Sequence, residues 1–269
     1  MSNIQEQLKS VLTDLKYNYN IIGVKAEFED EGATEDEVIA LKNLSSECGL
    51  NFTLKVGGCA AIKDMNDAKR FGIKRIVAPM IETPYSLYKF VESFNRVFDS
   101  SDRADMGFYI NIETITGYNN FEDIINSEYF DQIEGVIVGR SDMTKSLGLT
   151  KDFVNSGALM NIAYNISNKI KSKGKKFVIG GNVSSKSLDF FKNLPYITGF
   201  ETRKIIFDSS LINSNKCEEG ILKALKFEIL WLQSKREQYD IMSKDDLVRI
   251  NHLEETYRDI LSALANNER

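Results

Sequence analysis

Short runs of β-branched residues alternate with longer amphipathic stretches from residue 21 onward. The runs predicted as strands are residues 21–27, 51–56, 75–80, 107–113, 135–138, 176–180 and 196–201. The helical patterns between them are residues 34–48, 63–71, 84–98, 121–126, 158–172 and 186–192. Such alternation is typical of a parallel sheet. With a weaker eighth strand at 204–207, it predicts an α/β fold, a closed (β/α)8 TIM barrel, and an open doubly wound sheet is the alternative.

The two ends of the chain have helical patterns of their own. Residues 4–15 place apolar side chains at helical spacing and predict an amphipathic helix before the first strand. Residues 218–238 and 244–266 predict two long helices after the last strand. We therefore expect a barrel domain over 1–212 and a C-terminal helical extension over 213–269. The apolar stripe from Leu247 to Leu264 is expected to pack within the chain, and oligomerisation through it is the alternative.

Composition narrows the class of protein. Of the 269 residues 42% are hydrophobic, and the formal net charge is −5, which predicts a soluble globular protein that binds neither nucleic acid nor an anionic membrane. The three cysteines lack the spacing of a disulfide framework or a zinc site, which favours the cytoplasm. The acidic segment EDEG at 29–32 follows the first strand in place of a glycine-rich phosphate loop, so nucleotide binding is not expected there.

Polar side chains alternate with apolar ones on three predicted strands. In a barrel the apolar set packs against the helices, and the other set points inward, with the site at the carboxyl ends. The predicted inward residues are Lys25, Glu27, Glu29, Thr53, Lys55, Gly57, Tyr109, Asn111 and Glu113. For Lys25, near the middle of its strand, an internal ion pair that fills the barrel is the favoured interpretation.

Two carboxylates follow neighbouring strands. Glu113 ends the fourth strand, and Asp142 follows the fifth in the segment Gly139–Asp142. With no cysteine or histidine nearby, an oxygen-only pair suits Mg²⁺ or Mn²⁺. Carboxylates after strands also cap helices, so spacing alone leaves both interpretations open.

Three segments resemble the HpcH/HpaI aldolase and citrate lyase β-subunit family, which is one of the pyruvate- and phosphoenolpyruvate-handling barrels. They are VAPMIET at 77–83, IETITGYNNFEDI at 112–124 and VIVGRSDMTKSLG at 136–148. The resemblance extends from about residue 23 to residue 207. It implies a (β/α)8 barrel, a bound divalent metal and a homo-oligomer in which the C-terminal helix docks on a neighbour.

The resemblance also assigns roles residue by residue. It implies that Glu113 and Asp142 bind the metal. Asn111 occupies a position that is often glutamine or another polar residue in the family, and Glu27 and Glu29 fall in a segment similar to the acidic end of the family's first strand. Lys55 stands where the family usually has an arginine for the substrate carboxylate, so the charge is kept but the bidentate fork is lost. The histidine that some of these aldolases use has no match, because the only histidine lies in the C-terminal helix.

The chemistry implied is metal-dependent cleavage or formation of a carbon–carbon bond through the enolate of a small 2-oxo acid. Lys55 is expected to contact the carboxylate or enolate, and Glu29 or a metal-bound water to move the proton. Arg140 is expected either to contact an anion at the mouth or to cap the loop as a surface guanidinium. Substrate contacts are further predicted for Glu27, Asn111, Gly139 and Ser141.

Three alternatives stay open beside the metal-dependent aldolase. One is a Schiff-base aldolase with Lys55 as the nucleophile. Another is a lyase acting on acyl-CoA or an acyl carrier. The last is a barrel that binds a small acid without turning it over.

Overall fold

The eight strands close into a barrel in chain order, β1 to β8. The computed structural model describes residues 3–239 and 244–267. The strands are β1 Ile21–Glu27, β2 Asn51–Lys55, β3 Arg75–Ala78, β4 Gly107–Ile112, β5 Gly135–Gly139, β6 Lys176–Gly180, β7 Gly199–Glu201 and β8 Ile205–Asp208. The predicted α/β barrel is confirmed, and the open sheet is excluded.

Helices cover the outside of the barrel and both ends of the chain. Their bounds are α1 Asn3–Asn18, α2 Glu35–Glu47, α3 Ile62–Arg70, α4 Pro84–Val97, α5 Ser100–Arg103, α6 Ile115–Asn119, α7 Phe121–Asn126, α8 Arg140–Ser146, α9 Gly157–Ser172, α10 Leu188–Lys192, α11 Cys217–Tyr239 and α12 Lys244–Asn267. Local sequence explains several ends. Thr34 and Thr83 each form a capping box at a helix start. Gly49 and Gly72 follow helix ends with φ of 63° and 68°, where a side chain would be strained.

The last strand runs against the rest of the barrel. Strands β1 to β7 pair in parallel, whereas β8 pairs antiparallel with both β7 and β1. Only Thr202, Arg203 and Lys204 separate β7 from β8, which is too short for the crossover helix that a parallel neighbour requires. The expectation of a parallel sheet throughout was therefore wrong for β8, although the closed barrel itself was predicted.

The core has an outer and an inner part. Between strands and helices, fully buried residues such as Leu54, Ile110 and Phe90 belong to one large apolar cluster. Inside the barrel, four side chains form a separate cluster, one from each of β3 to β6: Val77, Tyr109, Ile137 and Val178. Apolar side chains thus fill part of the barrel interior, and buried polar residues such as Lys25, Thr53 and Lys55 also belong to the strands.

The C-terminal helices pack back on the chain. Helix α11 contacts α1, and α12 contacts α11. Ile250 and Leu253 of α12 are buried against Leu225, Ile229 and Leu232 of α11. Part of the apolar stripe therefore packs within the chain, while Leu247 and Leu261 are exposed; Leu264 lies outside the described side chains. The homo-oligomer stays a prediction.

Among the described helices, none is long and apolar enough to cross a bilayer.

Candidate active site

A cavity of about 460 Å³ opens at the carboxyl ends of the parallel strands. Its lining includes most of the residues predicted from the sequence: Glu27, Lys55, Asn111, Glu113, Gly139, Ser141 and Asp142. They come from β1, β2, β4, the residue after β4, β5 and the start of α8, which lie in one half of the barrel with β3 between β2 and β4. The structure therefore brings seven of the nine predicted site residues together at one mouth.

Glu113 is the most constrained carboxylate of this mouth. Its side chain is 2% exposed. Oε1 accepts a hydrogen bond from the backbone N–H of Met80 at 3.0 Å, and Oε2 accepts one from Asn111 Nδ2 at 2.8 Å. Met80, two residues after β3, has a φ of 47°, a left-handed conformation that coincides with this contact. Burial raises the pKa of Glu113 above its ordinary value, although Lys55 and Asn111 act in the opposite direction.

Asn111 donates a hydrogen bond to Glu113 and has one side-chain atom, Oδ1, without a hydrogen-bond partner among the described residues. Its Nδ2 donates to the glutamate, whereas Oδ1 is buried and has no hydrogen-bond partner among the described residues. The residue is 5% exposed and lines the cavity. A buried amide oxygen without a partner is costly in a folded protein. Its position indicates that a bound group in the cavity supplies the missing partner.

Asp142 lies at the rim of the same cavity. It is in the first turn of α8, directly after β5, and its side chain is 35% exposed. Its Oδ1 lies 3.0 Å from Nζ of Lys145, a largely exposed lysine, so this ion pair is weak. Gly139 leaves space for the carboxylate of Glu113, because a Cβ at position 139 would lie 2.4 Å from Oε2 of Glu113. Glycine at the end of β5 thus lets the two carboxylates share one mouth.

Lys55 places its ammonium group between two carboxylates. Nζ lies 2.7 Å from Oε2 of Glu29 and 3.4 Å from Oε1 of Glu113. Burial alone would lower the pKa of Lys55, but the carboxylates, led by Glu113 and Glu27, outweigh it and raise that pKa. Lys55 is therefore a cation at neutral pH. Glu29 contacts the site through Lys55 and is not itself part of the cavity lining.

A second buried ion-pair group lies beside Lys55 inside the barrel. Lys25 Nζ lies 2.9 Å from Oε1 of Glu27 and 2.5 Å from Oε1 of Glu201. This is the internal pairing favoured for Lys25 from the sequence. Glu27, predicted as a substrate contact, lines the cavity but is already held by this lysine. Although burial acts in the opposite direction, Lys25 and Lys55 lower the pKa of Glu27 to about 2.

The lowered pKa of Glu27 predicts a pH-dependent contribution to stability. The pKa of Glu27 is 4.5 in the unfolded chain and about 2 in the folded state, so ionised Glu27 stabilises the folded state. This contribution to the free energy of unfolding is fully present above pH 4.5 and is lost as the pH falls toward 2. Glu27→Gln should lower the free energy of unfolding at pH 7 by on the order of 3 kcal/mol. Urea unfolding between pH 7 and pH 2.5 measures this difference, which should shrink with falling pH. A deficit that is constant with pH would contradict the pairing.

Arg140 is not at the mouth. The residue is completely buried and is absent from the cavity lining. Its guanidinium donates to the carbonyl oxygens of Gly180 and Gly181 and to the side chains of Asn155 and Ser187. Burial lowers the pKa of Arg140 to about 9, which leaves it charged at neutral pH. The predicted anion contact therefore does not fit, because these donors already join the start of α8 to the end of β6, to the loop after β6 and to the segment before α9.

The cavity also has a wall that the sequence did not predict. Side chains from both C-terminal helices line it: Leu225, Glu228, Arg249, His252, Leu253 and Thr256. Glu201, Thr202 and Arg203, from β7 and the turn after it, line it as well. The one feature of the sequence that could have pointed to this wall is that His252 is the sole histidine of the chain. Helical spacing says which residues share a face but not where that face docks.

Fold and site together define a closed β/α barrel with a carboxylate-bearing mouth. Residues 55–179 match the family described as HpcH/HpaI aldolase/citrate lyase, which confirms the resemblance predicted from the sequence. The matched segment includes Lys55, Asn111, Glu113 and Asp142. No curated protein matches the chain.

Solved structures support the fold. Citrate synthase SbnG is 14% identical, with 87% of this chain and 91% of that chain covered and a TM-score of 0.57. An HpcH/HpaI aldolase/citrate lyase family protein from Burkholderia cenocepacia J2315 is 13% identical, with coverages of 75% and 93% and a TM-score of 0.58. Macrophomate synthase is 14% identical, with coverages of 87% and 90% and a TM-score of 0.53. At these identities the likeness concerns the fold.

Proposed function

We propose that this protein is a divalent-metal-dependent carbon–carbon lyase or aldolase that acts on a small 2-oxo acid through its enolate. The observation that carries the proposal is the arrangement of oxygen donors at the mouth. Glu113 is fixed by two N–H donors, Asp142 follows the next strand, and Oδ1 of Asn111 is buried without a partner. The family match supports the same class of reaction.

The residues present fit a cation of the Mg²⁺ or Mn²⁺ type. Among the described residues, no group of three or more His, Cys, Asp or Glu side chains forms a protein-only metal cage. Mg²⁺ is commonly bound by one or two carboxylates, with water and substrate completing its coordination. Glu113 and Asp142, with Asn111 beside them, would hold the ion. It would chelate the 2-oxo acid and stabilise the negative charge of the enolate.

Charge is divided between the floor and the rim of the cavity. At the floor, two lysines are surrounded by four carboxylates: Lys25 and Lys55 by Glu27, Glu29, Glu113 and Glu201. A surplus of negative charge there favours a cation and opposes an anionic substrate on its own. At the rim, Lys145, Lys151, Arg203 and Arg249 line the cavity. Three of these cations form ion pairs with carboxylates of the same lining: Lys145 with Asp142, Arg203 with Asp30 and Arg249 with Glu228. The four cations and three carboxylates of the rim oppose an approaching carboxylate less than the negative floor does, and the floor suits a metal.

Within this arrangement each side chain has a task. The ammonium of Lys55 contacts the substrate carboxylate or the enolate oxygen and stabilises the negative charge that develops there. Asn111 orients Glu113 and offers its free oxygen to a donor of the bound complex. Because Lys55 stays protonated among carboxylates, it is a poor amine nucleophile, and the Schiff-base alternative is disfavoured.

The proposal is tested by proton exchange in D₂O. Pyruvate with the protein and Mg²⁺ or Mn²⁺ should exchange its methyl protons for deuterium at least tenfold faster than with the metal alone, as measured by ¹H NMR. The reason is that a chelated 2-oxo acid beside a base is acidified at its methyl group. EDTA should return the rate to that of the solution without protein.

Two outcomes would change the assignment. If pyruvate, 2-oxobutyrate and an acyl-CoA thioester all fail to exchange, the enolate reaction is excluded and a barrel that binds small acids becomes the better account. If only the acyl-CoA exchanges, the substrate class is that of an acyl-CoA or acyl-carrier lyase.

A further inference from the structure

Helix α12 presents two distinct faces. Ile250 and Leu253 are buried against α11 and fix the helix in place. Arg249, His252 and Thr256 follow one another at intervals of three and four residues, so they share a stripe beside the buried one. All three line the cavity that contains Glu113 and Asp142. The C-terminal extension therefore contributes a wall to the site.

The register of α12 is further held by an ion pair. Arg249 Nε donates to Oε1 of Glu228, which is 1% exposed on α11. Three residues after Arg249, His252 follows on the same stripe. Its imidazole accepts and donates no hydrogen bond among the described residues, and the side chain is exposed. It is thus an unengaged acid–base group facing the mouth.

The other ionisable groups of the mouth are poorly suited to move a proton. Lys25 holds Glu27, whose pKa is about 2, so that carboxylate is a weak base. Glu29 forms an ion pair with Lys55 at 2.7 Å. Glu113 is bonded by Met80 and Asn111 and is assigned to the metal. The remaining carboxylates of the cavity lining are also engaged. Asp142 is assigned to the metal, and Glu201, Glu228 and Asp30 form ion pairs with Lys25, Arg249 and Arg203. Among the described lining residues, the imidazole of His252 is left as the proton acceptor.

We propose that His252 of the C-terminal helix α12 is the proton-transfer group of this site. In cleavage of a 4-hydroxy-2-oxo acid, the imidazole accepts the proton of the C4 hydroxyl. The C4–O bond becomes the carbonyl of the leaving aldehyde, the C3–C4 bond breaks, and its electron pair forms the enolate. The imidazolium then returns the proton to C3, which gives pyruvate. No oxidant or further reactant is needed.

This inference rests on the proposed function, and a binding experiment tests it apart from turnover. Because His252 is the only histidine, the imidazole signals of untagged protein in an NMR spectrum come from one residue. Pyruvate with Mg²⁺ should shift these signals at saturation, while Mg²⁺ alone should shift them less. In Glu113→Gln the pyruvate-induced shift should be absent. Unchanged imidazole signals in the native protein under saturating pyruvate would overturn the inference.

Exchange kinetics provide the second test. His252→Gln should lower the rate of pyruvate exchange about 100-fold, within the usual range for loss of an acid–base group. The thermal shift produced by Mg²⁺ should be unchanged. The matched control is Glu255→Gln, an exposed residue of α12 outside the cavity lining, which should retain the native rate. His252→Ala should regain activity with added imidazole, which would not repair a structural defect.

The outcomes separate the two proposals. If native protein exchanges pyruvate and His252→Gln does so at the same rate, the histidine assignment is wrong and the lyase proposal stands. A slowed variant that imidazole fails to rescue also overturns the assignment, since the loss would then come from packing of α12. If native protein exchanges none of the three substrates, both proposals fail together.

Discussion

Glu113→Gln should abolish both the thermal stabilisation by Mg²⁺ and the exchange of pyruvate protons. Glutamine keeps the shape and can accept from Met80, but it removes the charge that a divalent cation requires. A ligand present at 100 times its Kd stabilises the native state by about 2.7 kcal/mol. For a chain of this size that corresponds to a melting-temperature shift of roughly 5–10 °C. Differential scanning calorimetry with and without Mg²⁺ measures it.

The variant should remain folded without metal. Burial raises the pKa of Glu113 in the folded state above its value in the unfolded chain. Ionised Glu113 therefore lowers the free energy of unfolding at neutral pH, and a neutral residue of the same shape removes this unfavourable contribution. Glu134→Gln is the matched control. Glu134 is a half-buried glutamate that accepts from Tyr109 at the opposite end of the barrel. The Glu134→Gln variant should lose some stability and keep the full shift in melting temperature on addition of Mg²⁺. A retained shift in Glu113→Gln would remove Glu113 from the metal site.

Lys55→Met should be among the most destabilising single changes in the barrel. The lysine side chain is 6% exposed, and its removal leaves Glu29 and Glu113 without their cation. Breaking a buried ion pair on one side typically costs about 3–5 kcal/mol. Exchange of pyruvate should fall about 100-fold without disappearing, since loss of one charge-stabilising donor has an effect of that order. Urea unfolding and ¹H NMR measure the two effects.

Lys25→Met is the control that separates the effect of Lys55 on stability from its effect on proton exchange. Lys25 is as deeply buried and also has two carboxylate partners, Glu27 and Glu201, so its loss should destabilise to a similar extent. The expected exchange deficit is smaller, because Lys25 does not contact Glu113. Borohydride added with pyruvate should produce no covalent adduct on native protein by mass spectrometry. An adduct that Lys55→Met abolishes would establish the Schiff-base mechanism instead.

The order of strands and helices could be predicted from the sequence because it depends on local periodicity. Alternation of apolar residues with period two marks a strand, and spacing of three and four marks a helix. Residues at the carboxyl ends of parallel strands necessarily meet at one face of a barrel. Glu113, Asp142, Lys55 and Asn111 could therefore be placed at one mouth before any contact was known. The internal pairing of Lys25 followed from its place within β1.

Tertiary structure decided the features that depend on distant segments. Arg140 is buried because the carbonyl groups of Gly180 and Gly181, about 40 residues further along the chain, accept its hydrogen bonds. The antiparallel direction of β8 is different, because the short connection after β7 is a local feature of the sequence from which that direction could have been predicted. His252 lies in a surface helix far along the chain and lines the mouth only because α12 docks on α11. Periodicity determines which residues share a face, whereas packing between elements remote in sequence determines what that face meets.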